Sequence, residues 1–126
     1  MPTSVLIADD EEVVRRYVRT ALQGEEFTIC GEAVNGYEAV EKATVLQPNV
    51  IILDLRMPLL NGIEVAYLLK ERSPASKIIL LTVYEIGDLL VNFAGIAATV
   101  SKTEGLDKLV SCVRRVAELR RAKASE

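Results

Sequence analysis

Five residues of this 126-residue chain have side chains that could do chemistry together: Asp9, Asp10, Asp54, Thr82 and Lys102. The chain contains no histidine, which removes Ser-His and Cys-His nucleophile pairs and histidine metal sites. What remains is chemistry of carboxylates, hydroxyls, lysine and a hard cation. Three carboxylates brought within several Å repel, each pair by roughly a few kcal/mol at an effective dielectric near 20. Left uncompensated, they would raise a carboxyl pKa or destabilise the fold. A divalent cation and the Lys102 ammonium are the compensators this set allows. Oxygen ligands without His or Cys select Mg²⁺, with Asp10 and Asp54 as direct ligands and Asp9 acting mainly through water. One acid of such a cluster can attack a phosphoryl group and form an acyl phosphate. The cation and Lys102 would neutralise the equatorial oxygens, and Thr82 would donate a hydroxyl hydrogen bond to them.

That chemistry requires the five residues to meet, and the pattern of the chain says how. Ser4 to Ala8 reads as a buried strand ending at Asp9-Asp10. Glu11 to Gln23 follows as a helix with Val13, Val14, Tyr17, Val18, Ala21 and Leu22 on its inward face. Phe27 to Gly31 is a second strand; Asn35 to Leu46 is a helix with Tyr37, Ala39, Val40 and Ala43 inward, stopped by Pro48. Val50 to Leu53 is a third strand and ends at Asp54. A loop through Met57-Pro58 and Asn61-Gly62 opens a helix from Ile63 to Arg72. Lys77 to Leu81 is strand four, ending at Thr82, and Gly87 to Ala94 is a short helical segment bounded by glycines. Ala98 to Val100 leads to Lys102. A last helix runs from Leu106 to Arg121, with Leu106, Leu109, Val110, Val113, Val116 and Ala117 inward.

Five strand-then-helix units imply an α/β fold: a five-stranded parallel sheet with helices on both faces, joined by right-handed crossovers. Near-continuous apolar strands fit burial on both sides. The natural strand order is the flavodoxin-like 2-1-3-4-5, with the fourth helix short or irregular. In such a sheet the C-terminal strand ends line the ligand crevice. All five reactive residues fall there. Singly, each has a plain reading: Asp9 or Asp10 as a helix cap, Asp54 as a turn residue, Thr82 as a strand end, Lys102 as a surface lysine. Their joint placement is hard to explain as packing.

Bulk properties narrow the setting. The net charge is −3, which weighs against direct nucleic-acid binding. Cys30 and Cys112 lie in apolar stretches and read as buried free thiols of a reducing compartment. No signal segment or membrane-length apolar run is seen, so a cytoplasmic protein is expected.

The combination of Asp9-Asp10 after the first strand, Asp54-Leu55-Arg56-Met57-Pro58 with Gly62 downstream, Thr82 and Lys102 resembles response-regulator receiver domains of two-component systems. The match runs over essentially the whole chain. The resemblance implies phosphorylation of Asp54 by a sensor histidine kinase and an Mg²⁺ site of Asp9, Asp10, Asp54 and the backbone carbonyl of Arg56. It also implies phosphoryl contacts from Thr82 and Lys102. Gly31-Glu32-Ala33 with Asn35-Gly36 looks most like receivers of the LuxR/NarL type, which usually precede a helix-turn-helix DNA-binding domain. An output in transcription through such a domain, and a homodimer through the fourth and fifth segments, are the corresponding expectations. Two features depart from the family pattern. The position three before the lysine, commonly Tyr or Phe, is Thr99, and the segment from Thr82 to Ala94 is short; Tyr84 is either a substitute ring or an ordinary exposed tyrosine.

Other readings fit less well. A haloacid-dehalogenase-like phosphatase carries Asp-x-Asp after its first strand, whereas Arg56 stands two residues after Asp54, which follows the third. A flavin carrier would be repelled by Asp9-Asp10-Glu11-Glu12. A phosphorylation-independent interaction module on the same fold is the alternative that Thr99 favours. The chain is thus read as a phosphoacceptor signalling domain rather than an enzyme, with slow autodephosphorylation at most. Residues 1–121 are assigned to this domain, and 122–126 to a tail that either frays or begins a linker.

Overall fold

The computed structural model describes residues 2–124, less the side chains of residues 88, 89, 93, 106 and 121–124. Strands β1 (Thr3–Ala8), β2 (Phe27–Ala33), β3 (Val50–Asp54), β4 (Lys77–Thr82) and β5 (Ala98–Ser101) alternate with five helices. These are α1 (Glu12–Ala21), α2 (Gly36–Leu46), α3 (Gly62–Arg72), α4 (Asp88–Ala94) and α5 (Leu106–Ala124). All strands pair in parallel in the order β2-β1-β3-β4-β5. The expected topology and the short fourth helix are both found.

Side-chain alternation divides the strands between two cores. Leu6, Ala8, Ile51, Leu53, Ile78 and Leu80 pack with Ala39, Val40 and Ala43 of α2, Val65, Ala66 and Leu69 of α3, and Ala94 of α4. Val5, Ile7, Val50, Ile52, Ile79, Leu81 and Val100 pack with Val18 of α1 and with Leu109, Cys112, Val113, Val116 and Ala117 of α5. Burial on both faces explains why these strands read as unbroken apolar runs. Two asparagines cap the helices that the sequence reading began at or just after them. Asn35 accepts from the Glu38 amide, and Asn61 forms a reciprocal capping box with Glu64.

Two helix faces come out narrower than expected. In α1, Val18 and the following Leu22 are buried and Val14 is partly so, but Val13 and Tyr17 are 74% and 51% exposed. Val14, Val18 and Leu22 stand four residues apart and face the sheet; Val13 and Tyr17 sit about 100° round the helix, beyond the strip that it covers. Tyr37 is likewise exposed in α2, because Gly36, Ala39, Val40 and Ala43 define the buried face. Leu106, expected inward, lies outside the described side chains. Neither cysteine is in a disulfide; Cys112 is buried, whereas Cys30 is only half-buried. The β1–β2 register slips between Val5 and Leu6, so that Cys30 is skipped and its thiol donates to the Val5 carbonyl at 3.4 Å. Among the described residues, no helix is long and apolar enough to cross a membrane.

Candidate functional site

Crossovers leave β1 and β3 in opposite directions, so their C-terminal loops part at the point where the strand order reverses. Asp9 and Asp10 enter this crevice from β1, and Asp54, Thr82 and Lys102 from the ends of β3, β4 and β5. One carboxylate oxygen from each of Asp9, Asp10 and Asp54 lies within 4.8 Å of the others. The Lys102 Nζ stands 3.0 Å from Asp9 Oδ2 and 3.2 Å from Asp54 Oδ1. Asp9, Asp54 and Thr82 are buried, while Asp10 is exposed at the mouth. The structure thus brings together the side chains of Asp9, Asp10, Asp54 and Lys102, with Thr82 at the end of the strand between the last two.

Local backbone chemistry aims these groups. Asp9 does not cap α1 with its side chain; its Oδ1 accepts the Glu11 amide at 2.9 Å, forming a turn before the helix. The Asp9 amide donates to the Ala33 carbonyl at 3.0 Å. The loop after Asp54 folds tightly against the strand, where the Gly62 amide donates to the Leu55 carbonyl at 2.7 Å. A Cβ at Gly62 would come 2.5 Å from the Asp54 carbonyl oxygen, so no larger residue fits. In the same loop Leu59 takes φ 77° while the Leu60 amide donates to the Pro58 carbonyl, a strained three-residue turn. On β5, the Lys102 amide donates to the Thr82 carbonyl at 2.9 Å, and Glu104 Oε1 accepts the Ser101 amide. The lysine therefore leaves the sheet from a fixed turn.

The electrostatics are unbalanced in one direction. Burial, then the charge of Asp9, pushes the Asp54 carboxyl up from 3.8 to about 6, against the opposing pull of Lys102 and of the Arg56 amide. The Lys102 ammonium would be lowered by its own desolvation, but Asp9 and Asp54 outweigh this and hold its pKa above the usual lysine value. Asp9 Oδ2 is buried and, among the described residues, has no hydrogen-bond partner besides the Lys102 ammonium that neighbours it as a charge at 3.0 Å. Hard oxygens only, an excess of negative charge and a buried unsatisfied oxygen together fit a hydrated divalent cation, and Mg²⁺ above all.

Two surrounding contacts were invisible in the sequence. Arg56 Nη1 donates to Tyr84 Oη at 2.7 Å, and the guanidinium lies 5.2 Å from the ring centroid, linking the loops after β3 and β4. Tyr84 is half-exposed, its amide donates to Thr82 Oγ1 at 3.1 Å, and Thr99 is exposed on β5. Of the two readings of Tyr84, the exposed one describes this conformation. Secondly, Arg15 of α1 reaches back to the Asp9 carbonyl. No local signal marks either contact: Arg56 and Tyr84 stand 28 positions apart, and Arg15 reaches Asp9 six positions back across the turn that starts α1.

The family profile of the response regulator receiver domain matches residues 5–114, and the chain belongs to that family. It is 33% identical over 115 residues to the transcriptional regulatory protein LnrK of Bacillus subtilis, an alignment covering 89% of this chain and 52% of that protein. Identity to the nitrate/nitrite response regulator protein NarL of Escherichia coli K12 is 36% over 83 residues, covering 65% of this chain and 38% of NarL. The receiver (REC) domain of AraT, a response regulator from Geobacillus stearothermophilus, superposes with a TM-score of 0.88 at 26% identity, covering 98% of this chain and 99% of that one. The chain spans about half the length of the curated relatives it matches.

Proposed function

We propose that Asp54 is the phosphoacceptor of this receiver domain and that the phosphoryl donor is a phosphohistidine of a sensor kinase. The observation that carries this reading is the meeting of three carboxylates within 4.8 Å, with one ammonium 3.0 and 3.2 Å from two of them. Asp10 and Asp54 would hold Mg²⁺ directly, with the Arg56 carbonyl; Asp9, its Oδ1 already engaged, would act through a metal-bound water. Bound there, the ion supplies charge neutralisation for the phosphoryl oxygens. An Asp54 carboxylate oxygen attacks phosphorus in line, the P–N bond to the kinase imidazole breaks, and the imidazole leaves with its electron pair and takes up a proton. Lys102 then pairs with a phosphoryl oxygen in place of the carboxylate oxygen it now faces. The Thr82 hydroxyl turns its proton toward another.

Phosphorylation would bias a two-state arrangement of the loops after β3 and β4 and of the α4–β5–α5 face, which we take as the homodimer surface. By analogy with the relatives named above, the output is transcription, exerted by an effector domain outside this chain while the receiver itself leaves nucleic acid alone. Turnover is limited to slow self-dephosphorylation. Free thiols and the absence of a spanning helix among the described residues support a cytoplasmic setting. Incubation with Mg²⁺ and acetyl phosphate followed by intact mass is expected to add one phosphoryl group to the wild type and none to Asp54→Asn. Labelling of the Asn variant would move the acceptor elsewhere. A second reading, an interaction module that never uses phosphorylation, is favoured by the exposed Thr99 and by a Tyr84 tied outward to Arg56. Failure of the wild type to label would favour it.

A further inference from the structure

We propose that Arg15 is a positioning residue for the acidic pair, setting the affinity of the site for Mg²⁺ through the peptide that joins Asp9 to Asp10. The inference rests on the Mg²⁺ reading of the cluster given above. Arg15 lies on the second turn of α1, where a helix facing solvent would carry a free cation, yet its side chain is only 13% exposed. Nη1 donates to the Asp9 carbonyl oxygen at 2.8 Å, and Nε donates to Glu32 Oε1 at 3.0 Å. Glu32 is itself fixed on β2: its other carboxylate oxygen is held by Arg19, and its backbone carbonyl accepts from Lys42.

The carbonyl that Arg15 holds belongs to the planar Asp9-Asp10 peptide. Rotation of that plane changes ψ of Asp9 and φ of Asp10 together, and so swings the Asp10 side chain relative to Asp9. The Asp9 amide is bound to Ala33, the neighbour of Glu32 on the same strand. The end of β2 therefore grips Asp9 at both its amide and, through Arg15, its carbonyl. Asp9 is further fixed by Glu11 and Lys102, whereas among the described residues no hydrogen bond or ion pair is seen at the exposed Asp10 carboxylate, so its backbone aims it. A guanidinium suits this task because its planar fork spans two acceptors at set directions, which a single ammonium cannot do. Partners behind a first ligand shell of this kind commonly change metal affinity by about 10- to 100-fold when removed.

The sign of the effect separates positioning from charge. Removing a cation near a metal site relieves Coulomb repulsion and would by that alone tighten Mg²⁺ binding, so a loss of affinity reports lost geometry. Mg²⁺ is titrated calorimetrically, with no phosphoryl donor present, into the wild type, Arg15→Gln and Arg15→Lys, each checked for folding by circular dichroism. Arg15→Gln is expected to weaken binding about tenfold, and Arg15→Lys, which keeps the charge and loses the fork, to show a smaller, severalfold loss. If Arg15→Gln does not fold, Arg15→Lys alone decides. Wild-type affinity or tighter in the folded variants overturns the role of Arg15. A wild type that takes up no Mg²⁺ at all instead overturns the reading of the cluster on which the inference rests.

Discussion

Asp54→Asn is expected to stabilise the metal-free protein, and to do so only above the pH at which Asp54 ionises. The Asp54 carboxyl ordinarily titrates near 3.8 and is raised to about 6 here, by burial first and by Asp9 second. At 1.36 kcal/mol per pKa unit, that displacement corresponds to about 3 kcal/mol held against the ionised form. Between pH 4 and pH 6 the folded state keeps a proton that the unfolded chain has lost, so stability falls as pH rises through this window. Only well below 3.8 is Asp54 neutral in both states, and at pH 4 the difference has already shrunk to about half a kcal/mol. Asparagine has nearly the same shape and never ionises. The variant should therefore nearly match the wild type at pH 4 and exceed it by up to about 3 kcal/mol at pH 7.5, worth about 10 °C in Tm for a domain of this size. The assay is urea and thermal unfolding followed by far-ultraviolet circular dichroism in EDTA from pH 4 to 8. Mg²⁺ should then narrow the gap: at 100 times its Kd it would stabilise the wild type by about 2.7 kcal/mol and the variant far less, cancelling most of the variant's advantage. Parallel pH profiles for the two proteins, or a variant less stable at pH 7.5 in EDTA, would refute the electrostatic account of the site.

Lys102→Ala removes the cation shared by Asp9 and Asp54. It is expected to lower metal-free stability at pH 7 by about 3 kcal/mol in urea titrations. It should retain Mg²⁺ binding by calorimetry but show a reduced spectral change on treatment with acetyl phosphate. Gly62→Ala places a methyl group 2.5 Å from the Asp54 carbonyl oxygen. A destabilisation of about 1–3 kcal/mol by thermal unfolding, with slower labelling of Asp54, is expected as the loop shifts. Asn61→Ala breaks the capping box with Glu64 at the start of α3; a loss of about 1 kcal/mol in chemical denaturation is expected, with the pH profile of stability unchanged.

Strand and helix order, parallel topology and the meeting of Asp9, Asp10, Asp54 and Lys102 were legible in the chain itself. Continuous apolar runs ending in Asp9, Asp54, Thr82 and Lys102 leave few ways to fold, because a buried parallel strand must hand its polar residues to the rim. Local periodicity could not say how wide a stripe each helix would bury. Val13, Tyr17 and Tyr37 continue an apolar pattern yet lie exposed, since the breadth of contact is set by how the helix sits on the sheet. Nor could it supply the connections between remote loops. The Arg56–Tyr84 pair spans 28 positions and the Arg15–Glu32 pair 17, and charged side chains at such separations carry no mark of partnership in the sequence.

The displacement of the Asp54 pKa likewise belongs to the tertiary structure alone. Residue types determined that a crowd of carboxylates and one lysine would share a crevice. Whether the acid is raised or lowered depends on the balance of desolvation, the Asp9 charge and the Lys102 charge, and so on burial and on distances of a few Å. Sequence assigns the groups; packing around them decides the energies at which they work.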